Sequence, residues 1–142
     1  MNIDSEGASL ILIDGNHALM MLRDNKEGLN YANHWCLNGG AVEPNETPKE
    51  AAIRELYEET NYHAREPIYF MTEVYALPNG KVIKAHRFFE IYDNQQELTC
   101  LEGQKLSFIP FDELLTLTTV PGHAESAQRA ITLAQFILSK NS

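Results

Sequence analysis

The sequence predicts an α/β (α+β) domain in which a mixed β-sheet lies between two helices, an α/β/α sandwich. Three observations predict it. Segments rich in aromatic and β-branched residues flank the turns Asp14-Gly15-Asn16 and Pro78-Asn79-Gly80. One fully capped helix follows a glycine pair, and a C-terminal run carries apolar residues at three-and-four spacing. The 142 residues, 44% of them apolar, suffice for one core and one domain over residues 1–142.

In chain order, Ser9 to Asp14 and His17 to Arg23 read as an opening hairpin, because Asp14-Gly15-Asn16 tolerates the positive φ that a tight turn demands. Trp35-Cys36-Leu37 then leads into Asn38-Gly39-Gly40, and a brief strand is expected from Ala41 to Glu43. Paired glycines there imply close approach of the backbone to another group. Thr47 as N-cap, Pro48 at the first helical position and Glu50 closing a capping box start a helix that runs to about Thr60. Asn61 suits the left-handed residue that ends it. Ile68 to Leu77 and Lys81 to Tyr92 form a second, longer hairpin, and Leu106 to Pro110 a further strand. Asp112 is expected to cap a short helical turn through Leu117. Ala127, Ala130, Ile131, Ala134, Ile137 and Leu138 then define a packing helix over His123 to Lys140.

Charge and composition exclude several function classes. Eleven Lys and Arg against twenty Asp and Glu give a net charge of -9, so there is no broad cationic surface for polymeric nucleic acid. A small anionic ligand stays open, because a bound divalent cation inverts the local field. The longest apolar stretches are far shorter than a bilayer span, so no membrane partner is expected. The acidic N-terminus lacks the features of an export signal, which makes the cytoplasm the expected location. Cys36 and Cys100, 64 positions apart with no Cys-x-x-Cys spacing, read as reduced thiols.

The chemistry concentrates in the first helix. At 100° per residue from Glu55, Glu58 falls near 300° and Glu59 near 40°, while Ile53, Leu56 and Thr60 occupy roughly 100° to 160°. Like charges at three- and four-residue spacing repel, and only Lys49 and Arg54 on the same helix can neutralise them. Such a cluster beside a glycine pair has the composition of a hard-cation site, since Mg²⁺ and Mn²⁺ prefer oxygen ligands.

Gly40, five residues, Glu46, seven residues, then Arg54-Glu55-Leu56-Tyr57-Glu58-Glu59-Thr60-Asn61-Tyr62 closely resembles the signature of the Nudix hydrolases. In that family the signature reads Gly, five residues, Glu, seven residues, Arg-Glu, an aliphatic residue, any residue, Glu-Glu, any residue, Gly and an apolar residue. Asn61 replaces the glycine, a change that left-handed asparagine accommodates. Asn38 stands where members often carry proline.

The resemblance implies a Nudix-like sandwich and metal-dependent hydrolysis, by direct attack of water, of a pyrophosphate bond in a nucleoside diphosphate linked to another moiety. It implies Mg²⁺ (or Mn²⁺) as cofactor, held by Glu58 and Glu59, with Glu55 as ligand or water base and the backbone near Gly39 completing the set. Arg54 orients a glutamate, and Glu46 braces the loop. Glu102, in Leu-Glu-Gly-Gln, is the expected additional ligand or base, with Glu97 as its competitor. Candidate surfaces for the base of a small nucleotide substrate are Tyr31, Trp35 and Phe88, with Tyr75 and Phe108 as further aromatics near the glycine pair. The five histidines, scattered without metal spacing, read as surface or core residues. A homodimer is compatible with the sequence, and the alternative from another class is a non-catalytic nucleotide-sensing domain of the same fold.

Overall fold

The computed structural model describes residues 2–141. Its centre is β1 (Ser5–Asp14), in which Leu10 and Leu12 face one side of the sheet and Ile11 and Ile13 the other. All four are at most 1% exposed, so both faces of this strand must be covered. β1 turns at Gly15 into β2 (His17–Leu22), and β3 (Trp35–Cys36) and β4 (Gly39–Ala41) follow. After α1 (Pro48–Thr60) come β5 (Ile68–Ala76), β6 (Val82–Ile91), β7 (Lys105–Pro110), α2 (Phe111–Leu114) and α3 (His123–Lys140).

The sheet is mixed, in the order β3-β2-β1-β6-β5, with β4 paired to β1 and β7 to β2. β1 and β6 run parallel over nine residue pairs, from Ser5 opposite Ile83 to Ile13 opposite Ile91. This long-range pairing explains why β1 starts at Ser5, earlier than the local pattern indicates. The expected strand Ala41 to Glu43 is also displaced. The glycines themselves pair with β1, Gly39 opposite Ser9 and Gly40 opposite Ala8.

α1 covers one face through Ala51, Ala52 and Leu56, which pack on Ala8, Leu10, Leu12, Leu19 and Phe88. α3 covers the other through Ala124, Ala127, Ala130, Ile131 and Ala134, on Ile11, Ile13, Met20 and Phe89. The alanines let α3 approach the sheet closely. The caps of α1 match the sequence reading: Thr47 and Glu50 form the capping box, and Asn61 ends the helix at φ 67°. α2 differs, since Pro110 rather than Asp112 occupies the N-cap and Asp112 lies in the first turn. No described helix is long and apolar enough to cross a membrane.

Candidate active site

β4 and α1 bring the signature residues together. Arg54 projects from α1 toward the loop before it, where its Nε and Nη2 donate to the two Glu46 carboxylate oxygens at 2.7 and 3.0 Å. Its Nη1 donates to Glu55 at 2.9 Å and to Glu58 at 3.2 Å, and Nη2 also reaches the Ala41 carbonyl at 3.0 Å. One guanidinium thus fixes three glutamates and β4 through its planar fork. The Arg54 hydrogen bonds hold the Glu46 pKa down to about 2, and Glu46 in turn holds that of Arg54 up. Lys49 lies elsewhere, 3.7 Å from Glu66, so the helix glutamates are neutralised by Arg54 alone among the two cations that α1 offers.

Glu59, which the helical angles place on the same side as Glu55 and Glu58, is not exposed with Glu58 but only 2% exposed. The buried arc of α1 runs from Ala51 through Glu59 and Leu56 to Thr60, while Ile53 is half-buried. Glu59 accepts from Asn38 Nδ2 at 2.9 Å and from the Gly39 amide at 3.2 Å. Burial raises its pKa against the pull of Asn38, and Glu102 and Glu55 push it further up. Glu55, Glu59 and Glu102 line one cavity of about 270 Å³ with Gly39, Gly40 and Arg23. Glu97 is exposed and lies outside it. Among the described residues no group of three His, Cys, Asp or Glu side chains is preassembled around a metal position. Glu55 and Glu58 face Arg54 instead.

The glycine pair has a steric reason. A Cβ on Gly39 would strike the Ala8 carbonyl oxygen and lie 2.8 Å from Ser9 Cα, whereas one on Gly40 would meet the Glu55 carboxyl group at 2.5 to 2.7 Å. Gly39→Ala is therefore expected to cost roughly 1–3 kcal/mol in chemical denaturation, because it collides with backbone. Gly40→Ala is expected to cost less, because it meets a side-chain tip, while displacing Glu55.

A second cavity, of about 250 Å³, adjoins the first on the α3 side and shares Arg23, Cys36, Leu37, Gly39 and Gly40 with it. Tyr75, Leu77, Ile83, Arg87 and His123 line the remainder. His123, at the start of α3, accepts the Leu37 amide at 3.0 Å through Nδ1 and so tethers the segment before the glycine pair. Burial, with Arg87 and Arg23 adding to it, pushes its pKa down to about 3. An unfolded histidine titrates near 6.5, so between pH 6.5 and 3 the unfolded chain binds the extra proton. Stability is therefore expected to fall as pH drops through 6.5, by up to about 1.4 kcal/mol per pH unit. Denaturant midpoints at pH 7 and 4.5 for wild type and His123→Gln check this: the variant should show the shallower dependence.

The predicted base-stacking aromatics are elsewhere. Phe88 is 6% exposed beneath α1, edge-on to Tyr69, because its strand parity turns it to the face opposite the second cavity. Trp35 packs against the α3-side core under Lys105 Nζ, 5.5 Å from the ring centre. Tyr31, at φ 54°, packs against the cluster of Met21, Cys36 and Val120. None of the three lines either cavity, and Phe108 packs against Tyr92. Of the aromatics considered from sequence, Tyr75 is the one in the cleft. Arg87 and His123 carry no motif that marks them; the local signal for Arg87 is a cation beside Phe88 and Phe89 in a strand.

Comparison with known proteins places this arrangement. The sequence model of the NUDIX domain matches residues 5–130. A curated Bacillus subtilis (strain 168) protein, "Putative 8-oxo-dGTP diphosphatase", is 35% identical over 60 residues, which are 42% of this chain and 37% of that protein. The match thus spans little more than a third of that relative's length. The MutT protein of Methanosarcina mazei Go1 superposes with a TM-score of 0.74 at 22% identity, over 88% of this chain and 91% of its own. The E. coli ORF135 protein gives 0.72 at 24% identity, over 92% and 90%. A C. elegans Ap4A hydrolase gives 0.73 at 19% identity, over 96% and 98%. With its glycine pair, capped glutamate helix and mixed sheet inside the matched span, the chain belongs to the NUDIX domain family.

Proposed function

We infer that the protein is a Mg²⁺- or Mn²⁺-dependent pyrophosphohydrolase that splits a nucleoside diphosphate linked to another moiety, by direct attack of water. The observation that carries this reading is the convergence of Glu55, Glu59 and Glu102 on one cavity at the glycine pair. The donor set suits a hard divalent cation, since these three groups that line the cavity are all carboxylates. A pure binding module gains nothing from the mutual repulsion of these carboxylates, which adds to burial in raising the Glu59 pKa.

In the proposed chemistry, Glu58, Glu59 and Glu55 would hold the cation, with the backbone at Gly39 beside them. When bound, it would supply positive charge to phosphate oxygens and make the attacking water more acidic. Glu59 is oriented by Asn38 and the Gly39 amide, so its carboxylate is preset. Glu55 or Glu102 takes the proton of the attacking water, and Arg54 keeps Glu55 and Glu58 in place. Arg23, which lines both cavities, supplies positive charge where a phosphate chain would pass between them. Free Cys36 and Cys100 support a cytoplasmic setting.

The test is incubation with Mg²⁺ or Mn²⁺ and a panel of nucleoside triphosphates, dinucleoside polyphosphates and nucleoside diphosphate sugars, with release of nucleoside monophosphate, phosphate and pyrophosphate measured. Release that is lost on chelation supports the reading. Binding across the panel without release would make the protein a nucleotide sensor instead.

A further inference from the structure

The cavity on the α3 side contains a buried cation that the chain leaves incompletely satisfied. Arg87 is 3% exposed, yet its Nε has no hydrogen-bond partner. Its Nη1 donates to Ser9 Oγ at 3.2 Å, and its ion pair with Glu73 is long, at 3.5 Å. Glu73 is shared, since it also accepts from Ser126 Oγ at 3.1 Å. A guanidinium has five N–H donors, and burying one without full pairing is unfavourable unless something else completes it.

Two further lining residues, His123 and Arg23, carry donors. His123 Nδ1 accepts the Leu37 amide, which fixes the tautomer and leaves Nε2 carrying the hydrogen, with no partner among the described residues. Arg23 lies at the junction with the carboxylate cavity. The one carboxylate among the lining residues, that of Glu6, is engaged by His86 Nε2 at 2.7 Å. Tyr75, Leu77, Ile83 and Leu37 supply apolar walls. A volume of about 250 Å³ is below the roughly 300–1,000 Å³ of pockets for whole ligands, so this is space for one flat ring system. The phosphates would lie in the neighbouring cavity.

We propose that this cavity binds the nucleobase of the substrate and that Arg87, with His123 beside it, selects bases presenting a carbonyl oxygen where adenine and cytosine present an amino group. The inference rests on the hydrolase reading above. A guanidinium pairs in bidentate fashion with guanine O6 and N7, and equally finds an acceptor in uracil O4. Against adenine or cytosine it sets donor against donor. Arg87 is thus a specificity-determining residue, and its unpaired N–H groups gain acceptors when the correct base is bound.

The experiment measures kcat/KM for GTP, UTP, ATP and CTP with Mg²⁺ in wild type, Arg87→Lys and Arg87→Met. Wild type should prefer GTP and UTP over ATP and CTP by roughly fivefold to a hundredfold. Both variants should shrink that ratio toward one, chiefly through KM for GTP and UTP. The planar fork is lost in lysine, so retained charge should not rescue selectivity. A wild type without the preference, or a folded variant that keeps it, overturns the proposal. Should Arg87→Met not fold, competition by GMP, UMP, AMP and CMP against wild-type turnover decides: equal inhibition overturns it. If wild type hydrolyses none of the four, the hydrolase reading is judged on the full panel given above, dinucleoside polyphosphates and nucleoside diphosphate sugars included. Calorimetric binding of GMP and AMP then decides the present inference, with equal affinity overturning it.

Discussion

Glu58→Gln is expected to lower metal-dependent turnover by on the order of 10²-fold or more, while the melting temperature stays close to that of wild type. The magnitude follows because residues that merely orient metal ligands already contribute about 10- to 100-fold, and a ligand should exceed them. The stability expectation follows from position. The Glu58 side chain is 53% exposed and bonds Arg54 at 3.2 Å, a residue that keeps Glu46 and Glu55 when Glu58 is neutralised. Glu59→Gln should give the same loss from a buried site, because glutamine retains an oxygen for Asn38 and the Gly39 amide but sheds the charge. Phosphate release at saturating Mg²⁺, with thermal unfolding of the same samples, reads both. Near wild-type turnover in the two purified variants would remove the metal assignment from this helix.

Arg54→Ala is expected to be more damaging overall, since it should reduce both activity and stability. Arg54 joins Glu46, Glu55 and Glu58 to the Ala41 carbonyl, and Glu43 lies 3.8 Å away. Without it, several carboxylates lose their counter-charge together and the loop from Glu43 to Glu46 loses its tie to α1. Turnover should fall about 10- to 100-fold, the range for a group that positions metal ligands. The melting temperature should drop by several degrees, and more at low salt, where unscreened repulsion is largest. Arg54→Lys should recover part of the stability but little of the activity, because an ammonium group cannot span Glu46 in bidentate fashion while holding two more glutamates. A lysine variant with full activity would reduce Arg54 to a point charge.

What was legible in the sequence was local. The capping box at Thr47 and Glu50 and the left-handed Asn61 are set by neighbouring residues, so their signals sit side by side in the chain. The signature spacing likewise lies within one loop and one helix. The parallel β1–β6 pair was not legible, because nothing near Ser5 indicates a partner at Ile83. The same gap misplaced Phe88. Alternation along β6 puts Phe88 and Phe89 on opposite faces, but which face carries α1 and which the cleft is decided by tertiary packing. Arg87 gains its meaning only when Ser9 and Glu73 arrive from two other strands. The signature marks Glu59 as a functional candidate, but its partner Asn38 comes over from the glycine segment, which only the fold brings near.

The pairing of β1 with β6 has a kinetic corollary. It joins positions such as Ser5 and Ile83 across a long stretch of chain, and that stretch contains β4 and all of α1. Helix formation can begin early and locally, but the glycine pair has no sheet to dock against until β1 is seated, and closing so large a loop is slow. The cavity on the α3 side, whose wall includes Ile83, Ala85 and Arg87 from β6, should thus take shape only when that loop closes.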